Sequence, residues 1–384
     1  MDALTATLAL MRLEGMGPGR YWQLLQHFPS AVEALEHLPQ TLLQKLPERA
    51  QAQWREWQQC GEESALVQWA RHERARCADL GVTLLCAGGE DYPPLLAEIS
   101  RPPPLLYVRG HVNALRLPQI AVVGARRATS AGLDNARAFS RELAAAGFAI
   151  TSGLALGVDA AAHRGALEAG GVTIAVLGTG IDRLYPRRNA ALAEEVLAHG
   201  GALVSEFPLG TGAEAANFPR RNRVISGLSL GVLLVEAALR SGSLITARLA
   251  AEQNREVFAI PGSIHNPLSR GCHRVIRDGA ALVETAADIV SELGGLLNDL
   301  PASSDGGSHQ DAGPTQRLGD AERRLIGALG GDPRTLEQLA RDTGLEAGTL
   351  MAQLLQLELA GMVETLPGGY QLTGEGARLL ETLA

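Results

Sequence analysis

At residues 120–127 the chain reads Ile120-Ala121-Val122-Val123-Gly124-Ala125-Arg126-Arg127. Four apolar residues in a row predict a strand that is buried on both faces, because a half-exposed strand alternates apolar with polar side chains. Strands of this kind occur in parallel sheets that helices cover on both sides. The glycine ends the strand, and the two arginines place positive charge directly beyond its carboxyl end.

Similar apolar runs follow along the chain, and helical patterns separate them. The runs lie at residues 148–150, 173–177, 202–204, 232–235 and 257–260, with helical patterns for example at 133–146 and 158–169. This alternation predicts an α/β fold, a Rossmann-like doubly wound and mostly parallel sheet of about six strands.

The N-terminal part reads as a separate helical module over residues 1–78. Its turn at 13–19, Leu-Glu-Gly-Met-Gly-Pro-Gly, resembles that of a SAM-like or helix-hairpin-helix module, which can offer backbone N–H groups to phosphate. A plain helical spacer explains the turn equally well, because no basic cluster surrounds it.

The remaining chain is predicted to form a central domain, a linker and a small C-terminal domain. The central domain spans 79–296 and includes two short strand candidates, 82–86 and 105–108. Serine- and glycine-rich residues 297–318 predict a flexible linker. Residues 319–384 predict a winged helix, with helices at 321–329, 336–343 and 347–359 and wing strands at 362–365 and 370–372.

The composition indicates a globular protein of the cytoplasm. With 46% hydrophobic and 20% charged residues, the 384-residue chain can build a substantial core. Its longest apolar runs fall well short of the roughly 18–20 residues of a membrane span, and no cleavable leader pattern is present. Cys60, Cys77, Cys86 and Cys272 have no C-x-x-C spacing, which predicts reduced thiols without disulfides or zinc. We therefore expect no membrane contact, no metal and no cofactor.

Small residues follow several predicted strands at one edge of the sheet. Gly124 ends the first strand, Ser152 and Gly153 end the second, Gly178 follows the third, and Gly157 opens a helix. In a parallel sheet these loops meet at the carboxyl edge, where helix N-termini present free N–H groups. Because small side chains let a phosphate approach the backbone, we predict an anion site at this edge.

Arginines accompany these loops. They are Arg126, Arg127, Arg183, Arg187, Arg188, Arg220, Arg221, Arg223 and Arg240. The formal net charge is −8, which by itself argues against a nucleic acid. Lys45 is the only lysine among the 34 basic residues, however, so nearly every cation is an arginine guanidinium group, whose planar set of N–H donors suits phosphate. Cations clustered along one rim favour a polyanion as ligand. For any single arginine, an ordinary solvated or ion-paired surface position is an equal alternative.

Familiar nucleotide-binding and catalytic patterns are missing or weak. No P-loop can form, since its lysine is missing, and 178–183 lacks the third glycine of a dinucleotide fingerprint. Asp159 and His163 lie four apart on one helix face, as in an acid–base pair or half a metal site. We favour a structural role, in which Asp159 complements the helix dipole and His163 packs against it. Cys272-His273 lacks the partners of a nucleophile site.

A series of motifs runs in a fixed order between residues 91 and 290. They are VVGAR at 122–126, SGLALGVD at 152–159 with Ala162-His163, LYP at 184–186, SE at 205–206, FPRRNRVI at 218–225, SGSLITA at 241–247, VFAIPG at 257–262 and GCH at 271–273. In this order they resemble the DNA-processing protein A (DprA/Smf) family. Ala125 replaces the usual serine, Val158 replaces isoleucine, and 215–217 lack a basic residue that some relatives have.

The resemblance implies a non-catalytic protein of natural transformation and recombination. Such a protein binds incoming single-stranded DNA, protects it from nucleases and helps to load the RecA recombinase, typically as a homodimer. With the loop pattern, the resemblance predicts DNA or phosphate contacts by Gly124, Arg126, Arg127, Ser152, Gly153, Gly157, Arg187, Asn189, Phe218, Arg220, Arg221, Asn222, Arg223, Ser241, Gly242 and Ser243. For Asp159, His163, Glu206 and Glu236 we expect structural roles in the pocket.

Two other functions stay open. Nucleotide-processing enzymes of the lysine-decarboxylase-like phosphoribohydrolase type also have a small-residue loop after a strand. They carry the motif P-G-G-x-G-T-x-x-E, however, whereas residues 235–243 here read Val-Glu-Ala-Ala-Leu-Arg-Ser-Gly-Ser. A pure protein adaptor is the third possibility, and a lack of DNA binding at any salt concentration would favour it.

The predicted winged helix carries the wrong charge for DNA. Its recognition-helix candidate, 346–359, contains no arginine or lysine, and residues 317–384 hold six arginines against ten acidic residues. Because this net charge repels phosphates, we predict that the domain contacts protein, against the usual function of the fold.

Overall fold

The structure, a computed structural model, describes residues 1–297 and, beyond them, residues 325, 327–329, 334–344, 350, 354, 357, 358, 363–366 and 369–372. Two compact units divide the chain, Met1–Leu300 and Pro301–Ala384. The predicted linker, apart from residue 297, lies outside the described residues, and the predicted domain boundaries stay predictions. No helix within the described ranges is long and apolar enough to cross a membrane.

A mixed β-sheet forms the centre of the first unit. Its strands are β1 (Val82–Cys86), β2 (Leu105–Gly110), β3 (Gln119–Val123), β4 (Ala149–Ser152), β5 (Thr173–Leu177), β6 (Ala202–Ser205), β7 (Gly231–Leu234), β8 (Glu256–Ala259) and β9 (Ala281–Leu282). Their order across the sheet is β1-β2-β6-β5-β4-β3-β7-β8-β9. Neighbours from β6 to β9 pair in parallel, whereas β2 pairs antiparallel with both β1 and β6.

The predicted parallel core is confirmed, because each of the six predicted strands overlaps one of β3 to β8. Three features differ from the sequence-based picture. The short candidates β1 and β2 join the same sheet as an antiparallel edge, and the two-residue β9 extends the opposite edge. Pairing between β3 and β7 sets Ile120 opposite Gly231 and Val122 opposite Leu233, so strands distant in sequence become neighbours.

Helices flank this sheet along the whole first unit. They are α1 (Ala3–Arg12), α2 (Pro18–Leu25), α3 (Ala31–Glu36), α4 (Gln40–Leu43), α5 (Glu48–Cys60), α6 (Ala65–Asp79), α7 (Pro94–Ala97), α8 (Ser130–Ala145), α9 (Val158–Glu168), α10 (Ala190–Ala198), α11 (Asn217–Leu228), α12 (Ser243–Glu252), α13 (Arg270–Arg277) and α14 (Ala286–Leu297). Short 3₁₀ turns cover Gly61–Glu63, Val112–Arg116 and Arg187–Asn189.

Both faces of the sheet are buried, as the apolar runs predict. Ile120 and Val122 of β3 pack into a cluster with residues of α8, α9 and α14, among them Leu143. The alternate residues Ala121 and Val123 pack on the other face with residues of α7, α11 and α12. Because successive strand residues point to opposite faces, one four-residue run supplies both cores.

The N-terminal helices share a core with the edge of the sheet. Leu8 and Leu10 of α1 and Leu35 of α3 belong to the same buried cluster as Leu105 and Tyr107 of β2. Helix α2 begins at Pro18 after Gly17, where a proline costs no hydrogen bond because the first N–H groups of a helix have no internal partner. The predicted helical module is therefore packed on the sheet through β2.

The second unit has its own small core. Leu325, Leu329, Leu339, Leu354 and Val363 are buried together there. Helix α15 (Leu336–Thr343) starts with a capping box between Thr335 and Gln338, and the hairpin β10 (Val363–Leu366) and β11 (Gly369–Leu372) forms the predicted wing. Much of the predicted helices 321–329 and 347–359 lies outside the described residues.

Candidate nucleic-acid interface

A cavity opens where the strand order of the sheet reverses. The chain runs from β3 outward to β6 and then returns to β7, on the other side of β3. In open α/β sheets, ligands bind at the carboxyl ends of the strands at such a switch point. The switch-point cavity measures about 610 Å³, and its walls come from the loops after β3, β4, β5, β6 and β7 and from α9, α11 and α12.

Glycines hold the loops of this cavity close together. A Cβ atom on Gly124 would lie 2.7 Å from Cγ2 of Val158 and 3.0 Å from the carbonyl oxygen of Glu236. Gly157 has a φ of +82°, and a Cβ atom there would collide with the carbonyl of Ala125. Glycine is thus required at positions 124 and 157 for loop packing, whatever ligand approaches them.

The mouth of the cavity consists of Arg126, Tyr185 and Phe218. The guanidinium carbon of Arg126 lies 5.5 Å from the ring centroid of Phe218, within cation–π range. The Tyr185 and Phe218 rings are 5.6 Å apart, and Tyr185 is 47% exposed. Arg126 is exposed and forms no ion pair with any described residue. A guanidinium group that can donate hydrogen bonds to a phosphate therefore lies beside an aromatic surface that an unstacked base can reach.

The Ser241-Gly242-Ser243 loop forms the opposite wall. Gly242 precedes the first turn of α12, it is exposed, and a Cβ atom on it would meet nothing within 4 Å. The two serine hydroxyls lie 2.6 Å apart, and Asn222 donates to the carbonyl of Gly242 at 3.3 Å. The N–H of Ser243 donates to the Ser241 hydroxyl at 3.3 Å, and those of Leu244 and Ile245 donate to the carbonyls of Ser241 and Gly242, so hydrogen bonds within the loop fix its shape.

Arg221 is placed differently from its prediction as a phosphate contact. It is 5% exposed and donates to the carbonyl oxygens of Gly153, at 2.8 Å, and of Val176. Burial lowers the pKa of Arg221 to about 10, so the group still carries its charge at neutral pH. Both bonds use one terminal nitrogen of the guanidinium group, and they hold the Arg221 side chain against the ends of β4 and β5.

Asp159 faces this buried arginine. One carboxylate oxygen accepts the N–H groups of Gly153, at 3.1 Å, and Ala155, at 3.3 Å. Burial raises the pKa of Asp159, while Arg221 and these two N–H groups oppose the rise. The carboxylate thereby ties the loop after β4 to the first turn of α9.

His163, which was predicted to pack against Asp159, has its hydrogen-bond partner on strand β5. Its Nδ1 lies 2.7 Å from the Thr173 hydroxyl, which itself donates to the carbonyl of Ile150 at 2.6 Å. Nδ1 must therefore carry the hydrogen. Burial lowers the pKa of His163 to about 3, so the ring is neutral and serves the packing between α9 and β5.

Ser152 and Asn189, predicted as phosphate contacts, support the loop from behind. The Ser152 hydroxyl is buried and donates to the carbonyl of Val122 at 2.7 Å. The Asn189 amide donates to the carbonyls of Leu154, at 2.9 Å, and Ala155, at 3.1 Å. Leu154 has a positive φ of 56°, which these bonds stabilise. Both side chains are thus occupied inside the protein.

The two glutamates that were predicted for the pocket, Glu206 and Glu236, lie outside the lining of the switch-point cavity and bind neighbouring side chains and main-chain groups. Glu236 accepts the N–H of Thr129 at 2.9 Å and its hydroxyl at 2.7 Å, which places negative charge at the start of α8. Glu206 forms ion pairs with Arg223 and, at 3.6 Å, with Arg220. Arg223 also donates to a main-chain carbonyl, so it is less available to DNA than predicted.

The remaining predicted arginines differ in availability. Arg127 and Arg187 are exposed but lie outside the lining of the switch-point cavity, and Arg220, with its side chain 42% exposed, rests on Phe207.

Thr129, which the sequence reasoning missed, could have been found as an N-cap residue just before a helical pattern. Burial raises the pKa of the Cys272 thiol to about 11, which leaves it unreactive.

Comparison with known proteins decides the family. A family model described as DNA recombination-mediator protein A matches residues 83–294, more than half of the chain. The chain belongs to the DNA recombination-mediator protein A (DprA/Smf) family. Models of a DprA-like N-terminal HHH domain and of a DprA winged helix domain match residues 2–66 and 309–369.

Individual DprA/Smf proteins are similar over most of this chain. Protein Smf of Escherichia coli (strain K12) is 47% identical over 287 residues, which cover 75% of this chain and 76% of that protein. The X-ray structure of DNA processing protein A from Streptococcus pneumoniae covers 76% of this chain and 99% of its own, with a TM-score of 0.60 and 33% identity. DNA processing protein A from Helicobacter pylori, whose structure concerns its single-stranded DNA binding mode, covers 57% of this chain and 96% of its own, with a TM-score of 0.50 and 30% identity. The predicted family and fold class are confirmed.

Proposed function

We propose that this DprA/Smf chain binds single-stranded DNA in the switch-point cavity and mediates recombination without cutting the strand. The observation that carries the proposal is the mouth of the cavity, where the exposed Arg126 guanidinium lies over the Phe218 ring. A cation beside accessible aromatic faces binds both components of an unpaired strand, its phosphates and its bases. Across the cavity, the exposed Gly242 leaves space in which a second phosphate can approach the main chain.

This arrangement favours a single strand over a duplex. The Tyr185 and Phe218 rings can stack only on bases that are already unpaired, since duplex bases hide their faces. Duplex recognition commonly uses a basic helix in the major groove. Helix α11 does carry arginines, but Arg221 and Arg223 are turned toward partners inside the protein.

The cavity lining also supports a non-catalytic role. Its carboxylate, Asp159, is held by two main-chain N–H groups, and its Ser241 and Ser243 hydroxyls bond to each other. Nucleophilic catalysis needs a base within hydrogen-bond reach of the nucleophile. We therefore disfavour the phosphoribohydrolase alternative, for which hydrolysis of nucleoside monophosphates is the direct assay.

Within the same proposal, the chain protects incoming DNA in natural transformation and helps to load the RecA recombinase in the cytoplasm, as a homodimer. Its relatives from Streptococcus pneumoniae and Bacillus subtilis are named DNA processing protein DprA. The acidic winged helix is assigned to protein contact, because it would repel phosphates.

Binding at two salt concentrations tests the proposal. Labelled single strands and duplexes of equal length are titrated with the full-length chain, and the dissociation constants are compared. We expect tighter binding to the single strand and a strong loss of affinity with salt. Absence of binding at low salt would overturn the proposal and favour the adaptor alternative, while release of free base from a nucleoside monophosphate would favour the enzyme.

A further inference from the structure

A groove between α8 and α9 lies beside the switch-point cavity. This α8–α9 groove measures about 340 Å³, and its walls come from the two helices, the end of the loop after β4 and the 3₁₀ turn Arg187–Asn189. It shares no lining residue with the switch-point cavity. The groove is therefore a separate depression of the surface, outside the interface described above.

Two chain segments pass from the cavity to the groove. Ala155 lines the switch-point cavity, whereas the next two residues, Leu156 and Gly157, line the groove. Likewise, Tyr185 lies at the mouth of the cavity, and Asn189, four residues further on, lines the groove. The Asn189 amide donates to the carbonyl of Ala155 at 3.1 Å and so joins the two segments. Because neighbouring Cα atoms are only about 3.8 Å apart, a narrow ridge separates the two depressions.

Three exposed arginines without an acidic partner surround the groove. Arg164 of α9 is part of its wall, and Arg187 and Arg188 belong to the turn that ends at Asn189. None of the three forms an ion pair with a residue that the structure describes. An exposed guanidinium group in this state can donate to a phosphate without giving up a carboxylate.

The acidic side chains at the groove do not cancel this charge. Glu168 is paired with Arg137, whose Nε donates to it at 2.6 Å, so these two charges offset each other. Among the lining residues the remaining carboxylate is that of Asp134, which is exposed on α8. The three unpaired arginines outweigh this one carboxylate, and the groove therefore favours a polyanion.

Leu156 gives the ridge an apolar surface. Its side chain is 39% exposed, and it stands between the mouth, where Tyr185 is 47% exposed, and Arg164 in the groove. An unpaired base can lay its apolar face on such a side chain, whereas a duplex keeps its base faces stacked inside. Apolar surface followed by cations suits a single strand that crosses the ridge.

We propose that the single strand bound in the switch-point cavity continues over the ridge at Leu156 into the α8–α9 groove, where Arg164, Arg187 and Arg188 bind its phosphates. This inference rests on the proposed binding of single-stranded DNA. It adds a second contact segment to the first, so that affinity depends on the length of the strand. A short strand occupies the cavity alone, and a longer one occupies the cavity and the groove.

The test compares oligo-dT of about five nucleotides with oligo-dT of about twenty nucleotides. The long strand is titrated by fluorescence anisotropy with the full-length chain, and the short strand is measured as its competitor. Arg164→Ala and Arg188→Ala should each weaken binding of the long strand about threefold to tenfold and lower its salt slope by about 0.7. Near physiological salt, charges more than about 8 Å away are screened, so the affinity for the short strand should stay unchanged.

Arg141→Ala is the matched control. Arg141 is an exposed arginine of α8, one turn beyond Arg137, but it lies outside the groove lining. Its loss removes the same charge and should leave the affinity for both strands nearly unchanged. An equal effect of Arg164→Ala on the two strand lengths, or an equal loss in Arg141→Ala, would mean that net charge explains the result, and either outcome contradicts the proposed path.

Asp134→Asn changes the groove in the opposite direction. Removal of this carboxylate should tighten binding of the long strand about twofold, because a phosphate in the groove is repelled by it. Glu142→Gln, an exposed acid two turns further along α8 and outside the groove lining, should have no such effect. Unchanged or weaker binding of the long strand by Asp134→Asn would place its phosphates elsewhere.

Photocrosslinking locates the strand without removal of a charge. A p-benzoylphenylalanine residue in place of Leu156 should crosslink to the long strand. In place of Leu117 it should not, because Leu117 is similarly exposed, at 38%, but precedes β3 and so lies at the opposite edge of the sheet. Equal crosslinking at both positions, or none at position 156 with the long strand bound, would overturn the inference alone. Loss of all DNA binding by the unmodified chain would overturn the proposed function and this inference with it.

Discussion

Arg126→Ala is the most direct perturbation of the proposed interface. The Arg126 side chain is exposed at the mouth, lies over Phe218 and is not held by an ion pair with a described residue. Its truncation should leave the fold intact, because no buried contact is removed. Any loss of DNA affinity then reports the missing guanidinium group itself.

The expected magnitude follows from two contributions. A charge-assisted hydrogen bond contributes about 1.5–3 kcal/mol, and the lower end applies to an exposed group. Loss of the cation above Phe218 adds about 0.5 kcal/mol at an exposed site. The sum of about 2 kcal/mol corresponds to a loss of about 30-fold in affinity for a single strand.

Fluorescence anisotropy over a salt series measures both the loss and its origin. One phosphate contact fewer should reduce the slope of log K against log salt by about 0.7 for a single strand. Arg126→Lys should restore much of the slope but not all of the affinity, because lysine lacks the planar fork. Arg71→Ala, an exposed arginine of α6 that pairs with Glu62, controls for the change in net charge.

Three results would contradict the assignment of this loop. The first is an unchanged DNA affinity in Arg126→Ala with an intact fold. The second is an equal loss of DNA affinity in Arg71→Ala, which would mean that the change in net charge explains the effect. The third is a loss of affinity confined to particular sequences, because a phosphate contact acts on all strands alike.

Four further predictions address other parts of the molecule. A duplex should bind about tenfold more weakly than a single strand of the same length, and equal or tighter duplex binding would count against the aromatic mouth. Truncation after residue 296 should leave single-strand affinity within about tenfold, or 1.4 kcal/mol, and the isolated fragment 317–384 should not shift DNA at moderate salt; either failure gives the winged helix a role in DNA binding. Gly157→Ala should lower the free energy of unfolding by about 2 kcal/mol or more, because its φ of +82° and the Ala125 carbonyl exclude a Cβ atom; an unchanged denaturant midpoint would refute this. Burial gives His163 a pKa of about 3 in the folded chain, against its ordinary value of 6.5, so the unfolded chain binds the proton first and stability should fall as the pH drops below about 6.5; a pH profile of unfolding that is identical in His163→Gln would contradict this role.

Local sequence pattern was sufficient for the parallel core and for the glycine-containing loops at its carboxyl edge. Runs such as Ile120–Val123 can be buried only in a sheet covered on both faces, and glycine after a strand marks a turn whatever the surroundings. The charge of residues 317–384 likewise depends only on composition. These conclusions needed no knowledge of which strands are neighbours.

The role of each side chain at that edge depended on tertiary packing. Arg220, Arg221 and Arg223 lie within one turn of α11, yet Arg220 rests on Phe207, Arg221 is buried under β4 and β5, and Arg223 pairs with Glu206. Adjacent residues of a helix point in directions about 100° apart, so identical residue types meet different partners. Ser152 and Asn189 were predicted to contact phosphate because their small polar side chains can donate to a phosphate oxygen. In the structure they donate to main-chain carbonyls of the protein, because the fold places those acceptors beside them. The fold, which brings β7 next to β3, decides which of these groups remain free for a ligand.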